Sequence, residues 1–187
     1  GVATLDERYP ATANVGTGTS RTRPRCERLG RCHLTNSAMA VEIDLSGETA
    51  LVTGAGRGIG AAIVRRFAEA GADIVAAARS EDELEAIVEE VESEYGVSGL
   101  AVPTDLTDVG EIEDLVAESV EAFGAPSILV NNAGANLLGD PTEHTVEEVD
   151  TMLDVNVRGL FLLTQRWATA YREAGLEWGR VVNVSSV

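Results

Sequence analysis

The chain has 187 residues, 44% of them hydrophobic, which is enough for one domain around one apolar core. Its 31 acidic residues outnumber 14 basic ones, every one an arginine, for a net charge of -17; a polyanion needs a positive face, so nucleic acid is excluded as the main partner, and the composition reads as a solvated surface suited to high salt or as the mark of a GC-rich genome. No hydrophobic stretch approaches the roughly 20 residues that cross a bilayer, so the expectation is a soluble, cytoplasmic protein without membrane contact.

Residues 1–38 carry Pro10, Pro24 and the arginines Arg21, Arg23, Arg25, Arg28 and Arg31, with no helical or strand periodicity, which predicts a disordered extension. An apolar signal-peptide region is lacking, which argues against a secretory signal, and a transit peptide is the alternative reading of the segment. Cys26, Cys32 and His33 offer too few ligands for a closed zinc site, and the cysteine-free remainder suits a reducing compartment. This segment holds three acids and six arginines, leaving 28 acids and eight arginines beyond it. Because Met39 opens the first patterned stretch, residues 1–38 are read as an extension upstream of the native start. Residues 39–187 are read as the folded unit.

That unit alternates strand and helix. The apolar run Thr49 to Thr53 leads into a helical stretch through Ala70 in which Ile63, Phe67 and Ala70 recur on one face. A second strand covers Asp73 to Ala78. Ser80 with Glu83 then has the spacing of a capping box, and Leu84, Ile87, Val88, Val91 and Tyr95 form an amphipathic stripe. A third strand runs from about Leu100 to Pro103. Its following helix presents Ile112, Leu115, Val116, Val120 and Phe123, and "SILVNNAG" gives the fourth strand and a turn. Thr145 with Glu148 caps a long helix to about Ala174, and Arg180 to Val184 has the pattern of a buried fifth strand. Nearly all-apolar strands separated by helices mean a parallel sheet covered on both faces with right-handed crossovers. The fold class is therefore α/β, a doubly wound parallel sheet of Rossmann type, incomplete on its C-terminal side. An apolar edge left at the fifth strand predicts poor solubility for the chain alone.

The first strand ends in Thr53-Gly54-Ala55-Gly56-Arg57-Gly58-Ile59-Gly60 and passes directly into a helix. Glycine there permits a tight turn and lets backbone N–H groups approach a pyrophosphate, whose charge a helix N-terminus favours. With a strand before, a helix after and a further βα unit following, the segment points to dinucleotide binding. In NAD binders an acid at the tip of the second strand takes the ribose hydroxyls. Here the tip is Ala78-Arg79-Ser80. Arg79 can pair with the extra phosphate of NADP through a bidentate fork, and Arg57 can approach the same group; both are otherwise ordinary solvated arginines. NADP is the favoured cofactor and NAD the alternative.

Two motifs together carry a family resemblance. Thr53, Gly54, Gly58 and Gly60 meet the spacing T-G-x-x-x-G-x-G, and Asn131, Asn132, Ala133 and Gly134 spell N-N-A-G; from about Val41 to Val187 the chain resembles the short-chain dehydrogenase/reductase family. The resemblance implies that Asp105, with Leu106 beside it, contacts the adenine, and that Asn132, Ala133 and Gly134 line the ribose on the nicotinamide side. Asp105 is equally suited to forming the turn before the next helix, and Asn132 to Gly134 to making the strand-to-loop turn. Asn156, in "LDVNVRGLF", matches the helix asparagine that holds a kink and a water of the proton relay; a satisfied buried amide is the plainer reading. Ser186, in "NVSSV", matches the serine that hydrogen-bonds the substrate oxygen, against a plain strand-end serine turn.

The resemblance implies an oxidoreductase that interconverts a carbonyl and a hydroxyl of a small molecule, similar to 3-oxoacyl-carrier-protein reductases and polyol or sugar dehydrogenases, and a homodimer or homotetramer. The family's Y-x-x-x-K pair is absent from these 187 residues, which hold no lysine. Tyr95 and Tyr171 lie on helices after the wrong strands. Negligible turnover is expected of this chain by itself, because the Tyr supplies the proton and the Lys lowers its pKa. A non-catalytic dinucleotide-binding module is the alternative function. An extended-type epimerase expects T-G-x-x-G-x-x-G, from which the loop departs in having Arg57 at the middle glycine and its glycine one place later, at Gly58.

Overall fold

The apolar runs become five parallel strands in a computed structural model that describes residues 43–185. The N-terminal segment with Cys26, Cys32 and His33, and also Ser186, lie outside the described residues. Strands β1 (Thr49–Thr53), β2 (Asp73–Ala78), β3 (Gly99–Pro103), β4 (Ile128–Asn131) and β5 (Arg180–Asn183) stand side by side in the order β3-β2-β1-β4-β5. Helices α1 (Gly58–Glu69), α2 (Glu81–Tyr95) and α3 (Val109–Phe123) form the first three crossovers. The fourth is α4 (Val146–Leu153), a π-helical segment (Asp154–Gly159) and α5 (Leu160–Glu173) in one continuous run. Among the described residues no helix is long and apolar enough to cross a membrane.

Alternation along each strand builds two cores. Ala50, Val52, Ile74, Ala76, Ile128 and Val130 point to the face covered by α1 and α2, where Val64, Ala68, Leu84 and Val91 meet them. Leu51, Val75, Ala77 and Leu129 point to the face covered by α3 and α5, against Ile112, Leu115, Leu163 and Trp167. Both sides of β1, β2 and β4 are therefore dry, which is why these strands read as continuous apolar runs.

Several expectations are corrected. The buried line of α1 is Gly60, Ala61, Val64 and Ala68, with Ile63 and Phe67 at its flanks, because a helix that approaches the sheet closely buries its small residues and leaves the large ones at the margin. Val120 is 40% exposed and lines an apolar surface groove between α3 and α5 with Val116 and Ala170; Ser119 takes the buried place and donates its hydroxyl to the Leu115 carbonyl at 2.6 Å. Ser80 is the N-cap of α2 but its side chain caps nothing. Strand β5, in contrast, meets the expectation of an apolar edge: among the described residues it pairs with β4 alone, stands at the end of the sheet and is exposed along its length.

Candidate functional site

Strand order reverses between β1 and β4: from β1 the chain moves one way to β2 and β3, from β4 the other way to β5. Doubly wound sheets open a crevice at that point, beyond the carboxyl ends of the strands. The segment from Gly54 to Gly60 occupies one wall of it. Gly54 (φ +64°) and Gly58 (φ +58°) are left-handed, a conformation that L side chains rarely adopt. A Cβ on Gly60 would overlap the Gly54 carbonyl oxygen and stand 2.7 Å from Asn132 Nδ2. Above Gly58, by contrast, there is open space. The glycines thus do two jobs: Gly60 lets α1 close on β1, and Gly58 leaves open space at the helix start.

Helix α1 has Arg57 as N-cap, with no side chain capping it and no acid in its first turn. Its leading N–H groups are therefore left for a ligand, with the positive end of the helix dipole behind them. Arg57, Gly58 and Ile59 are exposed, as is Arg79 at the end of β2. Neither arginine makes an ion pair among the described residues, in contrast to Arg65 with Glu90 and Arg166 with Glu113. The loop keeps its place beside β2 through Ala55 N–H donating to the Ala77 carbonyl at 3.2 Å.

Opposite this wall, Thr53 and Asn132 bind β1 to the turn after β4. Thr53 Oγ1 accepts from the backbone N–H of Asn132 and of Ala133, both at 3.0 Å, and donates to the Val130 carbonyl at 3.2 Å. Asn132 Nδ2 donates to the carbonyls of Thr53 at 2.9 Å and Gly54 at 3.3 Å. Gly134 follows, its Cα facing Asn156 Oδ1. The structure therefore gathers Thr53, Gly54, Gly60, Asn132, Ala133 and Gly134 at one place.

Asn156 belongs to the same cluster. It lies in the π-helical segment, and its side chain clamps the backbone of Ala135: Oδ1 accepts the Ala135 N–H at 2.7 Å and Nδ2 donates to the Ala135 carbonyl at 2.8 Å. The wider turn is a π-bulge of the kind that accompanies functional sites. Gly159 closes the segment against the third strand's loop, where a Cβ would overlap the Leu106 carbonyl. Leu106 itself is a member of the second core. Asp105 Oδ1 accepts from the N–H and the hydroxyl of Thr107, both at 2.9 Å, so one of its oxygens forms the turn before α3. Farther along the β4 loop, Asp140 accepts from the N–H and hydroxyl of Thr142, which holds its carboxyl below the ordinary range and orders the approach to α4.

Three residues of this neighbourhood receive no site role in the sequence reading, although Asn131 opens the N-N-A-G motif. Asn131 is buried, its amide nitrogen donating to Thr164 Oγ1 at 3.0 Å and to Asn183 Oδ1 at 2.9 Å across the β4–β5 pair, while its Oδ1 has no partner among the described residues. Gly159 was detectable as a glycine inside a helical pattern. Glu83 approaches Gly56 from α2, a juxtaposition that no local spacing encodes.

This geometry has close counterparts. The family model described as short chain dehydrogenase matches residues 48–187. An uncharacterized oxidoreductase of Staphylococcus aureus is 34% identical over 143 residues, covering 76% of this chain and 60% of the relative. The chain spans about 60% of the length of the curated relatives it matches. Among solved structures, a metagenomic short-chain oxidoreductase in complex with NADP superposes with a TM-score of 0.71 at 35% identity, over 76% of this chain and 64% of the other. L-Sorbose reductase from Gluconobacter frateurii, complexed with NADPH and L-sorbose, superposes with a TM-score of 0.73 at 29% identity, over 78% of this chain and 55% of the other. With both its glycine loop and its N-N-A-G turn built into a sheet of this order, the chain belongs to the short-chain dehydrogenase family.

Proposed function

We propose that this chain binds NADP(H), with NAD(H) as the lesser alternative, and forms the nucleotide-binding part of an oxidoreductase that interconverts a carbonyl and a hydroxyl of a small molecule. The observation that carries the reading is the glycine loop: Gly60 admits the helix to the strand, Gly58 leaves open space over the helix start, and two exposed arginines flank it. A pyrophosphate suits that helix start, because no side chain at Gly58 occupies the open space and no acid in the first turn repels it. Arg57 and Arg79 hold the phosphate on the adenosine ribose. Asp105, through the carboxylate oxygen that Thr107 does not engage, receives the adenine edge, with Leu106 forming the floor beside it. Ile59 covers the pyrophosphate, and Asn132, Ala133 and Gly134 line the second ribose.

When bound, the nicotinamide supplies or accepts the hydride. The chain's own residues orient it: Thr53 and Asn132 fix the turn on which it rests, and Asn156 acts as a positioning residue by holding Ala135. Ser186, just past β5, hydrogen-bonds the substrate oxygen. A Tyr-x-x-x-Lys pair is not among the 187 residues, so turnover by the chain alone is expected to be negligible; a non-catalytic dinucleotide-binding module is the second reading. Leu153, Val157 and Phe161 are 47%, 60% and 68% exposed along one side of the α4–α5 run; this supports a homodimer or homotetramer that covers them. The cysteine-free sequence beyond Cys32 supports a cytoplasmic location.

Calorimetric titration of the chain with NADPH and NADH tests the reading. The expected result is saturable binding, tighter for NADPH, weakened at least tenfold by Arg79→Ala for NADPH but little for NADH. No heat of binding with either coenzyme at millimolar concentration would remove the proposal. A hydride-transfer assay with ketone substrates separates its two forms.

A further inference from the structure

Helix α2 opens with three acids, Glu81, Asp82 and Glu83, directly after the tip of β2. Of these, Glu83 is the one nearest Gly56 of the glycine loop: a Cβ built on Gly56 would lie 2.8 Å from Glu83 Oε2 and 2.9 Å from Glu83 Cβ. The contact involves Cβ, whose position is set by the helix backbone, so the helix itself holds this side chain against the loop. Gly56 immediately precedes Arg57, and Ala55 is hydrogen-bonded to β2. Glycine loop, β2 tip and first turn of α2 are thus one wall, which carries two guanidinium groups and, at the loop itself, one carboxylate.

We propose that Glu83 sets the coenzyme preference of this site, opposing a phosphate on the adenosine ribose and accepting a hydrogen bond from a hydroxyl there. The inference rests on the dinucleotide-binding reading above. A phosphate monoester carries between one and two negative charges near pH 7. Arg57 and Arg79 attract it, while a carboxylate on the same wall repels it through the same Coulomb law. A ribose hydroxyl presents no charge to oppose and donates to the carboxylate. That is the service an acid at the end of the second strand performs in NAD-binding sheets; here the strand ends without one, and Glu83 brings a carboxylate to the glycine loop from the following helix. The result is a site in which NADH competes with NADPH in spite of two arginines.

Dissociation constants for NADPH and NADH, measured by coenzyme fluorescence on the chain and its Glu83→Gln, Glu81→Gln and Asp82→Asn variants, decide the matter. Glu83→Gln is expected to shift the NADPH-to-NADH affinity ratio toward NADPH by roughly five- to tenfold. Glu81→Gln and Asp82→Asn, which share the general field but not the contact with Gly56, are each expected to shift it less than twofold. An unchanged ratio in Glu83→Gln, or equal shifts in all three variants, overturns the inference while leaving dinucleotide binding intact. A parent chain that binds neither coenzyme overturns the underlying reading itself.

Discussion

At Gly60 an added methyl group would overlap the Gly54 carbonyl and press on Asn132 Nδ2. Neither neighbour can give way easily, since one is backbone and the other already donates to Thr53 and Gly54. Relief requires moving α1 off β1. Gly60→Ala is therefore expected to cost about 1–3 kcal/mol as an overpacked site, which lowers the melting temperature by roughly 3–10 °C for a domain of this size, and to weaken dinucleotide binding more than tenfold. Thermal melts and a coenzyme titration check both; an unchanged melting temperature would mean that the close approach of helix and strand is not what this glycine serves. Residue-scale chemistry was legible wherever spacing encodes it. The loop from Thr53 to Gly60 and the N-N-A-G turn are local strings, and the structure places them at one crevice. What could not be read was how Asn132 spends its side chain on the backbone of β1, or that Glu83 lies on Gly56, because those contacts join residues whose proximity exists only once β1, β2 and β4 are paired.

Helix α4 shows how far an element can depend on its cap. None of its residues is buried, so packing contributes little, and its start is held by a complete capping box: Glu148 N–H donates to Thr145 Oγ1 at 3.2 Å and Thr145 N–H to Glu148 Oε2 at 2.9 Å. Thr145→Ala is expected to cost about 1 kcal/mol, and to appear as local fraying before it appears as global instability. Hydrogen exchange should speed up in the peptide covering residues 145–153 while β1 and β2 stay protected; equal loss of protection throughout would show that α4 is coupled to the core. The same Ser/Thr-x-x-Glu spacing at Ser80 and Glu83 forms no capping box: Ser80 makes no side-chain capping hydrogen bond, and Glu83 lies beside Gly56. A capping signature states what two residues can do, and the folded geometry decides whether they do it. The continuous helix expected from Thr145 to Ala174 likewise contains a π-helical turn around Asn156, set by two long-range constraints: the clamp on Ala135 and the approach of Gly159 to Leu106.

At the scale of the whole molecule, the parallel sheet with a core on each face and the exposed edge at β5 follow from the sequence, whereas the strand order β3-β2-β1-β4-β5 does not, because an apolar pattern records what a strand can pack against and not which strand lies beside it. Charge acts at this scale too. Beyond residue 38 there are 28 acids and eight arginines, so like-charge repulsion is spread over the folded unit and opposes compaction. The pairs Arg65–Glu90 and Arg166–Glu113 are partly exposed, and such pairs contribute about 0–1 kcal/mol each, too little to offset a field of this sign. Added salt weakens both effects, but the repulsion has many more terms than the attraction. Raising sodium chloride from 0.01 M to 0.1 M shortens the screening length from about 30 Å to about 10 Å, which spans the distances between charges on one domain. The melting temperature is therefore expected to rise by several degrees over that interval and more slowly above it. A rise that instead continued in proportion to salt up to 1 M would identify strengthened apolar burial as the cause, and a fall would show that the few ion pairs outweigh the net charge.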